Sequence, residues 1–478
     1  MARLILLLHR YLGIGVGALM VMWCLSGVVM MYVSYPALAE SERVRHLQPL
    51  DWNGCCKLPA ALLSNLEPAG GSTIEMLAGR PVLFLGGSHD AYPIDLSTGA
   101  RIESISAEQA TDTAKTFIAG APAGLRMRGL LERDQWTVSG DFDSQRPLYR
   151  FDLGDAAGSE LYISSVSGRA VQITAARERF WNRLGAIPHW LYFTELRRHA
   201  GLWSQLVIYT SLLGCFLAGI GVYLGVRQMA ARPAGRWSPY AGYNLWHHAA
   251  GLVFGLFTLS WVFSGLLSMN PWGWLEGAGV QSENARLQGA AAVPIARLTA
   301  ALQSVADAHP TAVQLRAAPL NDRLYIIASS ADGMRQRLDA DGAPAPLGRS
   351  DLNFLSAVLQ GTAASRMPEL LTQEDSFYFS HHQERVRLPV YRTVLSSGTR
   401  YYLDAVSGNL VAKFDAQARG YRWLHQGLHR LDFTALMRVR PWWDAFMLSA
   451  MLGVTAVCVT GAILGYRRVT RRASTIKS

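Results

Sequence analysis

The sequence predicts an α-helical membrane protein with four transmembrane helices in two tandem repeats, carrying two α+β domains outside the membrane. Two observations support this fold class. Four stretches of the chain lack charged side chains, and each is long enough to cross a hydrocarbon core of about 30 Å, which needs about 20 helical residues. In addition, residues in the first half match residues in the second half at a nearly constant offset.

The uncharged stretches set the predicted boundaries. They are Tyr11–Val33, Leu202–Val226, Ala249–Trp274 and Ala445–Tyr466. The first is not expected to be a cleaved signal peptide, because it is too long, lacks a small-residue cleavage site and recurs in the second half. With their flanks, the stretches predict transmembrane helices at 1–33, 202–226, 245–274 and 445–466, outward α+β domains at 34–201 and 275–444, a cytoplasmic loop at 227–244 and a cytoplasmic tail at 467–478.

Internal matches predict the duplication. The offset that places His9 on His247 also places Gly13, Gly17, Trp23, Ser26 and Gly27 on Gly251, Gly255, Trp261, Ser264 and Gly265. A second, similar offset places His189, Gly221 and Gly225 on His429, Gly461 and Gly465. Each copy therefore begins and ends with a histidine next to a membrane span.

The distribution of arginine predicts the orientation. Arginines occupy the short segments beside the helices, at Arg3, Arg10, Arg227, Arg232, Arg236, Arg467, Arg468, Arg471 and Arg472. By the positive-inside rule these segments, including both termini, are cytoplasmic, and the long segments face the periplasm of a bacterial inner membrane. The net charge of +10 predicts no nucleic-acid partner. Part of this charge comes from the arginines that set the orientation in the membrane, and no stripe of basic and aromatic residues suggests base stacking.

The five cysteines predict neither a metal site nor a disulfide framework. Cys24, Cys215 and Cys458 lie in predicted spans, where a thiol behaves as a small apolar group. Cys55 and Cys56 are adjacent, and neighbours in sequence are expected to be poorly placed to bridge each other. No spacing resembles a zinc or iron–sulfur site.

The outward segments are predicted to contain small α+β modules. Alternating apolar residues predict strands at Pro81–Leu85 and Leu324–Ala328, and helical spacing predicts helices at Ala107–Ile118 and Ile295–Ala308. Asp95–Gly99 suits a hairpin turn. No nucleophile and base occur together in a pattern that predicts hydrolysis.

Four features of the chain resemble a known family. They are Leu8-His9-Arg10 before a glycine-spaced helix, Ser26-Gly27 near its outer end, strand modules ending in Asp-x-x-Ser/Thr-Gly, and the segment Trp423–Arg430 before the last helix. In this order, and duplicated, they resemble the PepSY-associated transmembrane family, which includes the FoxB-type inner-membrane ferrisiderophore reductases. The resemblance covers essentially the whole chain. It implies PepSY-like periplasmic domains and a haem-dependent oxidoreductase that reduces a ferric siderophore during iron uptake.

His9 and His247 are predicted to ligate a haem near the cytoplasmic side. An ionisable side chain inside a membrane segment is costly and suggests function. Each of the two histidines is followed by glycines four and eight residues later, which lie near one helix face and leave a groove for a flat macrocycle. The alternative is that these glycines, like Gly221/Gly225 and Gly461/Gly465, only let helices approach closely.

His189 and His429 are predicted to ligate a second haem near the periplasmic side. His425 lies four residues before His429, on the same helical face, but its counterpart in the first copy is Gly185. It is therefore either a ligand unique to the second copy or a hydrogen-bonding neighbour, and the choice between His425 and His429 stays open. Histidines without a counterpart are interpreted as neighbouring or solvated groups: His199, His248, His381 and His382.

Two b-type haems are therefore predicted, since the Cys-x-x-Cys-His signature of covalent attachment is absent. Trp23 and Trp261 are expected near the outer haem. Residues before the outer histidines are predicted either to hold haem propionates or an anionic chelate, or to snorkel at the membrane surface: Arg177, Arg179, Trp181, Arg183 and Arg422.

The predicted reaction carries electrons across the membrane to Fe(III) held in a siderophore. No NAD or flavin domain is evident, because Gly13–Gly17 lies inside a span. A separate cytoplasmic reductase or membrane quinol must then be the donor. Two alternatives compete with this prediction: a non-catalytic membrane protein that binds or regulates a periplasmic partner, and a transporter for iron chelates, which four spans with few polar groups make less favoured.

Overall fold

Four long helices form one bundle in the computed structural model. We call Ala2–Met30 span 1, Ala200–Ala230 span 2, Gly242–Ser268 span 3 and Trp442–Ile476 span 4. Each is long and apolar enough to cross a membrane, so the four predicted membrane helices are confirmed. The structure describes residues 2–52, 55–56, 70–85, 92–118, 124–289, 293–361, 367–380, 385–434 and 436–476.

All four spans differ from their predicted limits, and the largest differences are at the ends of spans 3 and 4. Span 1 begins at Ala2, close to its predicted start, so His9 lies well inside it. Span 4 continues to Ile476, beyond its predicted end at Tyr466. Span 3 ends at Ser268 and not at Trp274. Asn270 is left-handed with φ 42°, and the proline that follows cannot continue an α-helix.

The spans pack as a closed ring. Spans 1 and 3 each contact both span 2 and span 4. The centre of the bundle is apolar and includes Val16, Leu217 and Val454. The outer surface is apolar as well: Leu256 is 67% and Leu452 72% exposed, which suits contact with lipid.

Fourteen strands form three antiparallel sheets in the described part of the chain. The strands are β1 Thr73–Leu77, β2 Arg80–Leu85, β3 Tyr92–Asp95, β4 Arg126–Leu131, β5 Leu148–Asp152, β6 Glu160–Ser164, β7 Ala170–Thr174, β8 Ala312–Ala317, β9 Ile326–Ser330, β10 Arg335–Leu338, β11 Glu369–Leu371, β12 Val390–Val394, β13 Arg400–Asp404 and β14 Leu410–Phe414. The first sheet has the order β10-β9-β8-β1-β2-β3, the second β4-β5-β6-β7 and the third β11-β12-β13-β14.

Short helices cover these sheets. The predicted helices are present at Ala107–Phe117 and Ile295–Ala308. Both are amphipathic and bury their apolar face against strands. The other short helices are Glu40–Arg45, Gly140–Gln145, Ala176–Leu184, Ala186–Trp190, Thr194–Arg197, Pro271–Gly273, Gln281–Gln288, Arg349–Gln360, Ala416–Tyr421, the π-helix Arg422–Gly427, Leu428–Arg430 and Leu436–Arg438.

The two long segments share one sheet. Strand β1 of the first segment pairs with β8 of the second, with Ile74 opposite Leu315. Both residues belong to a single apolar core. The segments treated separately in the sequence are therefore joined by backbone hydrogen bonds at the centre of the six-stranded sheet.

A cluster of ion pairs stabilises the contact between the two long segments at strands β1 and β8. Glu75 on β1 binds Arg43 and Arg169, and Glu40 binds Arg43 and Arg316, which lies on β8. Burial by itself raises the pKa of the Glu75 carboxyl, but the guanidinium groups of Arg169 and Arg43 outweigh burial and lower this pKa. The carboxylates are therefore ionised and hold the two segments together.

The prediction that Cys55 and Cys56 do not bridge is wrong. A disulfide joins the two residues. The peptide bond between them is cis, and their Cα atoms lie only 3.1 Å apart. Across a trans peptide, adjacent Cα atoms lie farther apart, at about 3.8 Å.

Candidate functional site

His9 and His247 meet across the bundle, at the end remote from the sheets. His9 lies on span 1 and His247 on span 3. The centres of their imidazole rings are 6.2 Å apart. We call these two residues the inner pair, since the chain reaches the short loop 231–241 at this end.

A neighbouring span holds each ring of the inner pair. Nδ1 of His9 lies 3.3 Å from the carbonyl oxygen of Leu217, on span 2. Nδ1 of His247 lies 3.1 Å from the carbonyl oxygen of Val457, on span 4. Because a carbonyl oxygen only accepts hydrogen bonds, Nδ1 carries the hydrogen in both rings, and Nε2 presents a lone pair.

Glycines make room for these rings. A Cβ atom at Gly221 would lie 2.8 Å from Cε1 of His9, and one at Gly461 would lie 3.1 Å from Cε1 of His247. Gly225 and Gly465 instead face aliphatic side chains, those of Leu252 and Ile14. One glycine of each small-residue pair thus provides space for a histidine ring. If the glycines only let the helices approach closely, this contact with a histidine would not be required.

His189 and His429 form a second pair, at the end of the bundle next to the sheets. Their ring centres are also 6.2 Å apart. His189 lies on the short helix Ala186–Trp190, and His429 lies on Leu428–Arg430. Each helix ends at a left-handed leucine, Leu191 or Leu431, with φ 53°. We call His189 and His429 the outer pair.

Serines at the ends of spans 1 and 3 hold the outer pair. Nδ1 of His189 lies 3.0 Å from Oγ of Ser26, and Nδ1 of His429 lies 2.9 Å from Oγ of Ser264. Both hydroxyl groups donate to backbone carbonyl oxygens of their own helix. They therefore accept from the histidines, which again leaves Nε2 with a lone pair. The carbonyl oxygen of Trp23 also accepts from His189, so the backbone of Trp23 lies beside the outer pair.

The outer histidines are neutral near pH 7. Burial lowers the pKa of His189 to about 4, and burial lowers the pKa of His429 well below its ordinary value. Metal ligation requires the neutral imidazole. The protonation state of this pair therefore suits a metal ligand.

The spacing of both pairs fits ligation of one iron by two imidazoles. Two metal–nitrogen bonds of about 2 Å, with about 1 Å from each nitrogen to its ring centre, separate ring centres by about 6 Å. A Cβ atom at Gly17 or Gly251 would meet no atom within 4 Å, whereas one at Gly255 would touch Val222. The predicted groove is therefore open at Gly17 and Gly251 and closed at Gly255. At both pairs the ring spacing and the bonded Nδ1 atoms suit ligation of a haem iron by two imidazoles.

His425 lies beside the outer pair but is held by a different hydrogen-bond partner. It belongs to the π-helix Arg422–Gly427, and Nδ1 donates to the carbonyl oxygen of Ser264 over 2.8 Å. Its ring centre is 5.6 Å from that of His429 and 4.9 Å from that of Tyr421. His425 therefore separates the outer pair from Tyr421.

The other histidines have different surroundings. His248 is buried, with Nδ1 2.8 Å from Oγ of Ser238 and Nε2 2.9 Å from the carbonyl oxygen of Gly225. Both nitrogens are thereby engaged, and His248 fastens the loop to span 2. His199 is exposed at the start of span 2. His381 and His382 lie outside the described residues.

The predicted propionate-binding residues divide into two sets. Arg179 pairs with Glu160, and Arg422 pairs with Asp432, so both are engaged within the protein. The rest lie on the exposed side of the helix Ala176–Leu184: Arg177, Trp181 and Arg183. This side suits the membrane surface or an anionic group.

Sequence reasoning missed the groups that orient the imidazoles. The carbonyl groups of Leu217 and Val457 carry no side-chain signal, and Ser26 and Ser264 stand out in the sequence only as matching positions. A signal was present for the two serines only, because Ser26 and Ser264 match at the same offset as His9 and His247. In the described part of the chain, no cluster of three or more His, Cys, Asp or Glu side chains could hold a metal ion.

Searches against family models and against curated proteins each find no match to this chain. The resemblance to the PepSY-associated transmembrane family therefore stays a prediction from its motifs.

Proposed function

We propose that this chain is a haem-dependent oxidoreductase of the PepSY-associated transmembrane family. It transfers electrons from the cytoplasmic side of the bacterial inner membrane to the periplasm, where it reduces a ferric siderophore and releases Fe(II). One b-type haem lies between His9 and His247, and a second lies between His189 and His429. The observation that carries this proposal is the presence of two histidine pairs, built alike at the two ends of one bundle.

The matched positions support an origin by duplication. Leu217 and Val457 correspond under one offset, and Ser26 and Ser264 under the other. Each member of a set makes the same contact to the histidine of its own copy. We propose that the two copies are related by a pseudo-two-fold axis along the membrane normal, which brings each histidine opposite its counterpart.

His429, and not His425, is the outer ligand in this proposal. Its ring centre lies as far from His189 as those of the inner pair lie from each other. Its bond to the Ser264 hydroxyl also repeats the bond of His189 to Ser26. His425 instead uses the backbone of Ser264 and has glycine as its counterpart.

The protein contributes position and the exclusion of water. Bound haem supplies reversible one-electron chemistry at its iron. The histidines would ligate the haem iron through Nε2, because their Nδ1 atoms are bonded to backbone or serine oxygens. His9 and Ser26 are separated by about 25 Å along span 1, and the centre of the bundle between the two pairs is apolar.

The direction of transfer follows from where the protein has room for substrates. The arginine-rich loop and tail face the cytoplasm, where a separate reductase or membrane quinol donates electrons. The sheets face the periplasm and receive the chelate. Reduction to Fe(II) weakens binding to hard oxygen donors, because such ligands prefer the more highly charged ion. The siderophore as substrate is implied by the family resemblance.

Single-turnover reduction tests this proposal. Haem-loaded protein is reduced with dithionite, freed of excess reductant and mixed with a ferric trihydroxamate in the presence of an Fe(II) trap. We expect haem reoxidation together with formation of the trapped Fe(II) complex. Reoxidation without Fe(II), or no reaction with any ferric chelate, would contradict the proposal and favour a protein that only binds a periplasmic partner.

A further inference from the structure

A cavity of about 320 Å³ opens beside the outer pair. It lies where span 3 ends and the second outward segment begins. Its lining includes Ser268, Asn270, Phe414, Ala418, Tyr421 and Gln426. This volume is within the range of small-molecule sites, which hold mostly apolar walls with a few placed polar groups.

The cavity is connected to the outer pair through two aromatic side chains. Tyr421 lines the cavity, and its ring centre lies 4.9 Å from that of His425. The ring centre of His425 lies 5.6 Å from that of His429. A molecule in the cavity is therefore separated from the proposed outer ligand by two rings in contact.

The residues at the corresponding positions of the first copy are different and closely packed. Gly185, the counterpart of His425, packs so closely that a Cβ atom there would lie 2.9 Å from Val29. Asn182, the counterpart of Arg422, is buried and donates to the carbonyl oxygen of Ser34 over 2.8 Å. The cavity thus occurs where the copies differ, and the π-helix that carries His425 is a form often found at functional sites.

The lining indicates the chemistry of the ligand. Tyr421, Asn270 and Gln426 offer neutral hydroxyl and amide groups. Arg422 is the cationic side chain among the described lining residues, and it is 1% exposed and bound to Asp432 over 2.9 Å. Its charge is therefore neutralised inside the protein. A polyanion would therefore gain no free cation among these lining residues.

We propose that this cavity is where the iron chelate docks, and that it takes an uncharged face of an oxygen-donor chelate. The neutral donors bind chelate oxygens, and the rings of Phe414 and Tyr421 cover its apolar carbons. This inference rests on the proposed function for the identity of the ligand. It adds the location of the site, its restriction to the second copy and its preference for ligands without negative charge.

Binding of a redox-inert analogue tests the site apart from electron transfer. The probe is the Ga(III) complex of a linear trihydroxamate, because Ga(III) has the charge of Fe(III) but is not reduced. Its binding to the full-length protein in detergent is measured by equilibrium dialysis. We expect one saturable site per chain. Ala418→Trp, which fills the cavity, should weaken binding at least about tenfold, and Gln426→Ala should weaken it less.

Phe180→Ala is the control, because Phe180 lies on the corresponding helix of the first copy, is 55% exposed and does not line the cavity, so it should leave binding unchanged. Unaltered binding by both Ala418→Trp and Gln426→Ala would overturn the proposed site. Equal or tighter binding of a trianionic Ga(III) tris-catecholate would overturn the stated preference. Because no haem chemistry is needed, analogue binding by protein that fails to reduce Fe(III) would support this site while contradicting the proposed function.

Discussion

Gly221 of span 2 lies directly against the imidazole of His9, and a Cβ atom there would come within 2.8 Å of Cε1. The ring cannot retreat freely, because its Nδ1 is bonded to the carbonyl oxygen of Leu217, one turn earlier on the same span. Gly461 and Val457 repeat this arrangement around His247. The position of the inner pair thus depends on two residues that lack side chains.

Gly221→Ala should therefore displace His9 and weaken haem binding at the inner pair. We expect a loss of about tenfold or more in affinity, as for other changes that misorient metal ligands, measured by haem titration. Gly219→Ala is the matched control, since a Cβ atom at Gly219 would meet no atom within 4 Å. Equal haem affinity in both variants would show that the glycine does not position the ring.

Replacement of ligands should remove one haem at a time. His9→Ala or His247→Ala should halve the haem content and spare the outer haem, because the two pairs lie at opposite ends of the bundle. His248→Ala should keep both haems but lower thermal stability, since two buried hydrogen bonds are lost. Haem loss in His248→Ala without loss in His247→Ala would reverse the assignment of the inner ligand.

The outer pair gives a sharper choice between adjacent histidines. His429→Ala should abolish the outer haem signal, whereas His425→Ala should retain it. Low-temperature electron paramagnetic resonance of the oxidised protein distinguishes the two results, because ferric haem with two histidine ligands gives a characteristic low-spin signal that is lost when one ligand is removed. If His425→Ala loses the outer haem while His429→Ala keeps it, our assignment of the ligand is wrong.

The membrane helices were predictable because an uninterrupted run of about 20 uncharged, mostly apolar residues is typical of a membrane-spanning helix. The histidine pairs were predictable because the two halves of the sequence carry them at matching positions. The pairing of β1 with β8 was not, since sequence patterns do not reveal which strands meet across segments far apart in the chain. Nor were the bonds from His9 and His247 to backbone carbonyl groups, because a carbonyl leaves no trace in residue identity.

The junction between the outward segments should be sensitive to acid. Burial opposes ionisation of Glu40, but Arg43 and Arg316 outweigh it and lower the pKa of its carboxyl to about 2. The ionised Glu40 carboxylate stabilises the fold fully at pH values above the pKa of glutamate in the unfolded chain, which is about 4.3. This stabilisation is lost as the pH falls toward 2, because the carboxylate becomes protonated. Glu40→Gln should therefore unfold at a lower temperature than the parent protein at about pH 6. At about pH 3 the difference between their unfolding temperatures should be smaller. A difference that does not change with pH would contradict the ionised junction.

If both histidine pairs hold haem, the haem content of the purified protein must show it. Detergent-solubilised protein, expressed with ample haem, is assayed by its visible spectrum and by the pyridine haemochromogen method against protein concentration. We predict two non-covalent b-type haems per chain, both low-spin because each iron has two imidazole ligands. One haem per chain would mean that one pair is structural. A protein without a Soret band would contradict the account.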